Sequence, residues 1–540
     1  MKQKDCLSLI AFVIMLFSTV DAYSQVAKNA LYRMPSEMYG NFFYDVMNCD
    51  SLFSKEGLFV DSKAFLDIEP KGDLDQILNA YGKLPHKGYS TLAKFITDNF
   101  NISKEDIRID RRYNDIDEYI GALWKLLQHK PESEKGGTLI PLKYTYFVPG
   151  GRFREIYYWD SYFSMLGMAC DNEITLIENM VNNFSSVIDD LGFIPNGNRS
   201  YYLGRSQPPF FCQMVELLSE VKGDEGIYIK YLPEMQKEYD FWMRGAENLS
   251  SSQRAILHTV MMPDGAILNR YYDAYSTPRE EMYRNDIETG KELKANHQAT
   301  EIGNLYRNLR AAAESGYDFS SRWMADGKGR YTTHTTDIVP VDLNSLLYKN
   351  ECILSHAYLT KGDLEKSREF DLLAKERKEV INKYLWNKEK GYYFDYLWTN
   401  DSLSTVYSLA GVMPLFCHVA DSGKAKRART IIMNTFLRPG GLVTTPYHTG
   451  EQWDAPNGWA PLQWIAYKGF RDYGFWKEAQ VIKERWMDTC ESEFRKSGVL
   501  FEKYNVEGSD ISHGGEYQNQ VGFGWSNGVS RAMKCNWQIR

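Results

Sequence analysis

An all-α toroid, with helices paired around a ring and function carried on the loops between them, is the fold the sequence predicts. Three observations point to it. Apolar residues recur at helical spacing in one segment after another, strand-like alternation is scarce and short, and Gly-, Pro- and aromatic-rich loops separate the helical stretches. The chain has 540 residues, longer than the commonest domain size yet compatible with one large barrel. No fixed repeat of roughly 20–50 residues is visible, so a solenoid is not favoured.

The N-terminus stands outside this fold. Lys2 and Lys4 form a positive start, Leu7 to Val20 an apolar run, and Ala22-Tyr23-Ser24 a small-residue cleavage signal. This is the pattern of an export signal spanning residues 1–24, cut before Gln25. The apolar run is short of the roughly 20 residues that span a bilayer. No later apolar stretch approaches that length, so the expected product is an exported protein without a membrane anchor.

An irregular segment, about residues 26–105, is expected next, followed by helices. The stretch 115–128 carries Ile116, Tyr119, Ile120, Leu123, Trp124 and Leu127 on one face. Similar spacing recurs over 210–221, 231–243, 343–358, 363–385, 408–419, 423–436, 459–470 and 475–493. No linker divides them, so residues 25–540 read as one catalytic domain.

Composition narrows the function. Hydrophobic residues make up 43 % and charged residues 25 %, as in ordinary globular chains, while aromatics reach 14 % with 37 Tyr and 13 Trp. The net charge of −8 survives removal of the signal, which takes two basic and two acidic residues with it. Such a chain is a poor match for nucleic acid or anionic lipid and suits a neutral substrate. Seven cysteines follow the signal, widely spaced and without a CxxC pair, which argues against a zinc knuckle or a dense disulfide framework. His448, His513 and the other histidines are scattered without HExxH spacing, and no Gly-rich nucleotide motif occurs, so neither metal nor cofactor is expected.

Two loops concentrate chemistry. Pro149-Gly-Gly-Arg-Phe-Arg-Glu-Ile-Tyr-Tyr-Trp-Asp-Ser-Tyr162 crowds Arg152, Trp159 and Asp160 behind a sharp turn. Arg and Asp can hold vicinal hydroxyls, and Trp can stack on the apolar face of a sugar ring. By chemistry alone a salt-bridged loop with an aromatic anchor is the slightly favoured reading. Gly450-Glu-Gln-Trp-Asp-Ala-Pro-Asn-Gly-Trp-Ala-Pro461 offers an amide, a carboxylate and two indoles before a helix. Pro461 sits near the helix start, where a missing N–H costs nothing.

Together these loops resemble the two signatures of the trehalases, glycoside hydrolase family 37. Asp61-Ser-Lys63, Ile194-Pro-Asn-Gly197, Tyr202-Leu-Gly-Arg-Ser-Gln-Pro-Pro209, Pro278-Arg-Glu-Glu281, the stretch from Ala312 to Trp323, Glu502-Lys-Tyr504, Gly514-Gly-Glu-Tyr517 and Gly522 to Gly528 agree as well, in the family's order. The resemblance implies an (α/α)6 barrel acting by inversion on trehalose, as a monomer and with no cofactor. It implies Asp318 as general acid and Glu502 as general base. It implies sugar contacts at Arg152, Trp159, Asp160, Asn196, Arg205, Ser206, Gln207, Arg279, Glu280, Glu281, Gly316 and Glu516. Two residues depart from the family pattern. Tyr317 stands where Trp is usual, adding a hydroxyl that can alter hydrogen bonding of the acid, and Asn505 stands where Asp is common.

The chemistry explains why two carboxyl groups are needed. An acetal is inert to hydroxide, so its leaving oxygen must gain a proton as the bond breaks. One carboxyl must then be neutral and the other ionised near the working pH. Tyr317, Phe319 and Trp323 would desolvate Asp318 and raise its pKa, while Arg152, Arg205 and Arg279 would lower it. The sequence leaves that balance open. Alternatives are another (α/α)6 hydrolase of α-glucosides, including one for phosphorylated trehalose, or a trehalose-binding protein without catalysis. A phosphorylase would have no use for Glu502.

Overall fold

The computed structural model describes residues 32–102, 113–133, 136–296, 301–508 and 515–536. The export signal expected over 1–24 lies outside these residues. From residue 116 onward the main helices, in chain order, are α1 (Ile116–Leu126), α2 (Tyr158–Cys170), α3 (Ile174–Leu191), α4 (Phe211–Lys222), α5 (Gly226–Met243), α6 (Tyr283–Ala295) and α7 (Ile302–Glu314). There follow α8 (Val341–Lys361), α9 (Leu364–Tyr384), α10 (Met413–Phe416), α11 (Ser422–Thr435), α12 (Ala460–Asp472), α13 (Trp476–Ser497) and α14 (Gly524–Lys534).

Packing closes these helices into a ring. α2 touches α4, α4 touches α8, α8 touches α10, α10 touches α12, α12 touches α14, and α14 returns to α2. Against this inner ring lie outer partners: α3 on α2, α5 on α4, α9 on α8 and α13 on α12. The expected toroid of helix pairs is therefore the architecture. The inner helices are enclosed on all sides, and every residue of α2 from Tyr158 to Ala169 is buried. The α8–α9 pair turns within two residues: Gly362 ends α8 at φ +87°, and the Asp363 carboxylate caps α9 by accepting from the Lys366 N–H.

The seam between first and last inner helices is tight. A Cβ on Gly167 of α2 would stand 2.6 Å from the Cα of Gly528 in α14, so only glycine permits this approach. Cys170, at the end of α2, forms a disulfide with Cys535, just past α14. Cys212, Cys417 and Cys490 are buried core residues, while Cys49 and Cys352 are half-buried.

The N-terminal segment differs from the irregular stretch the sequence suggested. It folds into short helices at Pro35–Tyr39, Asn41–Met47, Ser62–Leu66, Leu74–Gly82 and Tyr89–Asn99. Phe42, Phe65, Tyr81, Phe95 and Phe100 form an aromatic cluster beneath them. Most of these helices have only one or two turns, too few for their period to emerge from sequence, and Tyr89–Asn99 buries just Leu92, Phe95 and Ile96. Strands are short and antiparallel. Two matter here: β1 (Asn457–Trp459) and β2 (Lys503–Asn505), with Trp459 opposite Lys503.

Candidate active site

The cavity at the centre of the ring gathers most of the expected residues. Arg152, Trp159, Asp160, Asn196, Arg205, Gln207, Arg279, Glu281, Gly316, Asp318, Glu502 and Glu516 all line it. Ser206 and Glu280 do not. The Ser206 hydroxyl donates to Ile194 O at 2.6 Å and its N–H to Glu314 at 2.8 Å, so it shapes the loop. Glu280 turns to the N-terminal segment, where the Ser36 N–H and hydroxyl meet its carboxylate. In Pro278-Arg-Glu-Glu281 it is Arg279 and Glu281 that face the cavity, with Glu280 between them facing away.

The first loop delivers Arg152 and α2. The Arg152 N–H donates to Gln520 Oε1 at 2.8 Å, and its guanidinium pairs with Asp61 at 2.6 Å and lies over the Tyr517 ring. Trp159 and Asp160 occupy the first turn of α2. Gly316 has φ +77°, and a Cβ there would press to 2.7 Å from the Trp159 indole, so bare backbone is required beside that ring. Burial pushes Asp160 well above the usual carboxylate range.

Arg205 anchors a second wall. Its Nε donates to Asn196 Oδ1 at 3.0 Å and its Nη2 to Glu281 Oε1 at 2.7 Å. Arg205 Nη1, Glu281 Oε2 and Glu502 Oε2 are buried and carry no hydrogen bond from the described protein atoms. Buried polar atoms of this kind call for partners, and Arg205 Nη1 has only the Asp273 carboxylate nearby, at 3.6 Å.

Arg279 organises the acid's side. It pairs with Asp286 at 2.6 Å and Glu516 at 3.0 Å, and stands 3.8 Å from Asp318. Arg330, which the sequence reading did not single out, also binds Glu516 at 2.9 Å while holding Glu451 at 2.6 Å. Burial works against the Glu516 charge, but Arg279 and Arg330 hold its pKa below the ordinary value.

Asp318 follows Gly316 and Tyr317 on the loop after α7. Burial drives its pKa up to about 7, while Arg279 opposes and Glu516 adds to the rise. The balance the sequence left open falls to burial. The second signature clamps this loop. Gln452 Nε2 donates to Asp318 O at 2.5 Å, the Trp453 N–H to Phe319 O at 3.0 Å, and Asp454 accepts from the Ser320 hydroxyl at 2.8 Å and the Ser321 N–H at 2.9 Å.

Glu502 sits opposite, at a bend leading into β2. Burial raises its pKa, and Lys503, the Tyr517 hydroxyl and Arg152 counter that. Tyr517 belongs to the recognised Gly514-Gly-Glu-Tyr stretch and lines the cavity, but sequence alone assigned it no role. Trp453 and Trp459 stack face to face at 3.9 Å, and Trp525 meets Trp459 edge-on at 5.7 Å.

The two departures from family pattern fall away from the acid–base chemistry. The Tyr317 ring stacks on Trp453 at 4.8 Å. Its buried hydroxyl makes no hydrogen bond among the described residues, and the charges acting on it are those of Asp342, Arg322 and Asp395. The expected effect on the acid's hydrogen bonding is therefore not realised. Asn505 caps a turn through Oδ1, accepting the Glu507 N–H at 3.0 Å and the Gly508 N–H at 3.1 Å, a task Asp performs equally well. Among the described residues no group of three or more His, Cys, Asp or Glu is placed to hold a metal ion.

Comparison with known proteins places this geometry. The family model described as Trehalase matches residues 57–534. A periplasmic trehalase of Xanthomonas oryzae pv. oryzae is 44 % identical over 504 residues, covering 92 % of this chain and 85 % of the relative. A periplasmic trehalase of Escherichia coli is 44 % identical over 502 residues, covering 92 % and 86 %. Among solved structures, the neutral trehalase Nth1 from Saccharomyces cerevisiae superposes with a TM-score of 0.60 at 26 % identity, covering 79 % of this chain and 80 % of the other. With a family model matched over most of its length and relatives this similar, the chain belongs to the trehalase family.

Proposed function

We propose that the protein hydrolyses the α,α-1,1 bond of trehalose to two glucose molecules with inversion, Asp318 acting as general acid and Glu502 as general base. The observation that carries this reading is the contrast between the two carboxyls across one cavity. Asp318, pushed up to about 7 by burial, stays largely protonated below neutrality. Glu502 has the Tyr517 hydroxyl at 2.9 Å and the Lys503 ammonium at 3.9 Å to favour its ionised form.

The steps follow from these states. Arg152, Arg205 and Arg279, with Asp160, Asn196, Gln207, Glu281 and Glu516, hold the hydroxyls of the two rings, and the indoles shield their apolar faces. Asp318 gives its proton to the bridging oxygen as the bond to one anomeric carbon lengthens. Glu502 takes a proton from water, whose oxygen attacks that carbon from the opposite face. The attacked glucose leaves as the β anomer and the other retains its α configuration. No cofactor takes part.

The relatives' naming as periplasmic supports an exported enzyme; the cut before Gln25 and a single monomeric catalytic domain over residues 25–540 belong to the proposal and rest on the sequence. Among the described residues no helix is long and apolar enough to cross a membrane.

Proton NMR in the first minutes of trehalose hydrolysis tests the reading. Equal amounts of α- and β-glucose are expected. If α-glucose alone appeared first, the enzyme would be retaining and Glu502 a nucleophile. Asp318→Asn and Glu502→Gln should each lower turnover by about 10²–10⁴-fold.

A further inference from the structure

Lys503 occupies a position where a charge is costly. Its side chain is fully buried. A buried ammonium is retained at low cost only when it is paired, and an apolar side chain would serve packing as well. Adjacent strand residues ordinarily point to opposite faces, but the bend at Glu502 brings both side chains to the same place. Lys503 Nζ stands 3.9 Å from Glu502 Oε2, a buried oxygen with no hydrogen bond from the described protein atoms. It donates to Gln452 Oε1 at 2.8 Å and lies 5.2 Å from the Trp459 ring centre and 5.4 Å from that of Tyr517. Gln452 is itself fixed, because its Nε2 donates to Asp318 O at 2.5 Å.

We infer that Lys503 is a positioning residue that keeps the Glu502 carboxylate ionised and aimed, and that through Gln452 it ties the strand bearing the base to the loop bearing the acid. The inference rests on the reading of Glu502 as general base. The groups acting on Glu502 are Lys503 from β2, Tyr517 from the loop before α14, and Arg152 from the loop before α2; Asp160, in the first turn of α2, is coupled to it as well. Arg152 is already paired with Asp61 at 2.6 Å, and Asp160 repels the carboxylate, which leaves Lys503 as the nearest cation. The Lys503 pKa is lowered by burial and partly restored by Glu502 and Asp318, so the ammonium and the two carboxyls form one electrostatic unit.

The test is the pH profile of kcat/KM on trehalose for Lys503→Met and Lys503→Arg, with folding checked by circular dichroism. In Lys503→Met the acidic limb should move toward neutrality by about one pH unit or more, since a close opposite charge lowers a carboxyl pKa by about that much. Turnover at acid pH should drop tenfold or more and recover in part as pH rises, with KM changed less than threefold. Lys503→Arg, which keeps the charge, should retain most of the wild-type limb. An unmoved limb in folded Lys503→Met overturns the inference. If that variant does not fold, Lys503→Gln, which removes the charge but keeps a donor for Gln452, carries the test: a moved limb supports the role, an unmoved one overturns it. Glu502→Gln is run alongside. If it retains trehalose turnover, the reading of the base itself fails. If it is inactive while the Lys503→Met limb stays put, only the role of Lys503 fails.

Discussion

The Tyr517 hydroxyl donates to Glu502 Oε1 at 2.9 Å, while the face of the same ring lies against the Arg152 guanidinium. One side chain thus contacts both Glu502 and Arg152, the proposed base and a proposed sugar contact. Tyr517→Phe keeps the ring and removes only the hydrogen bond. Bonds to charged groups contribute about 1.5–3 kcal/mol. Steady-state kinetics should show kcat reduced by about tenfold or more. A kcat within twofold of wild type would make the bond incidental.

The rate profile should be bell-shaped, with its maximum on the acid side of neutrality. Asp318 works protonated, so the rate falls as pH rises through about 7, where burial has placed its pKa. Glu502 works ionised, and burial raises its pKa, so the rate falls on acidification at a pH above the usual range for glutamate. On α-glucosyl fluoride the leaving group needs little acid help, so the alkaline limb should flatten while the acidic one remains. The same alkaline limb on both substrates would take the acid's role from Asp318.

Glu280 and Glu281 are neighbours in sequence with different expected roles. Glu281→Gln weakens the pair with Arg205, held at 2.7 Å in the cavity wall, and should cut kcat/KM tenfold or more. Glu280→Gln touches only the contact with Ser36, outside the cavity, and should leave kcat/KM within threefold. Parallel kinetics of the two variants decide the matter, and equal losses would place Glu280 in substrate binding after all.

The Cys170–Cys535 bridge spans 365 residues and joins the first inner helix to the last. A cross-link over so long a loop restrains the unfolded chain, by about 6 kcal/mol on the chain-entropy account. The Cys170→Ser, Cys535→Ser double variant should melt several degrees lower by calorimetry, with kcat at 25 °C unchanged within twofold. An unchanged Tm would mean that packing across the Gly167–Gly528 seam alone holds the ring shut.

Much of this molecule was legible before any coordinates. Helical periodicity marked α4, α5, α8, α9, α12 and α13, whose apolar positions recur over several turns; it did not mark α2 and α14, which close the ring and are buried on nearly every face, so no polar face sets off a period. The signatures marked the cavity because Gly, Pro and Trp cluster where backbone must turn sharply or meet a ring, as Gly316 does against Trp159. Family resemblance then attached roles to Asp318 and Glu502. Other features depended on contacts between segments far apart in sequence. The raised pKa of Asp318 followed from its enclosure in the cavity, where its side chain stays about a third exposed, and neighbouring residue types alone left that open. The outward turn of Glu280, the grip of Asp61 on Arg152 and the bond from Tyr517 to Glu502 likewise arise only where distant segments meet. Motifs determined which residues stand ready for the chemistry; packing around the closed ring decided which of them face the sugar and which carry charge, because burial and partner distance are properties of the folded chain.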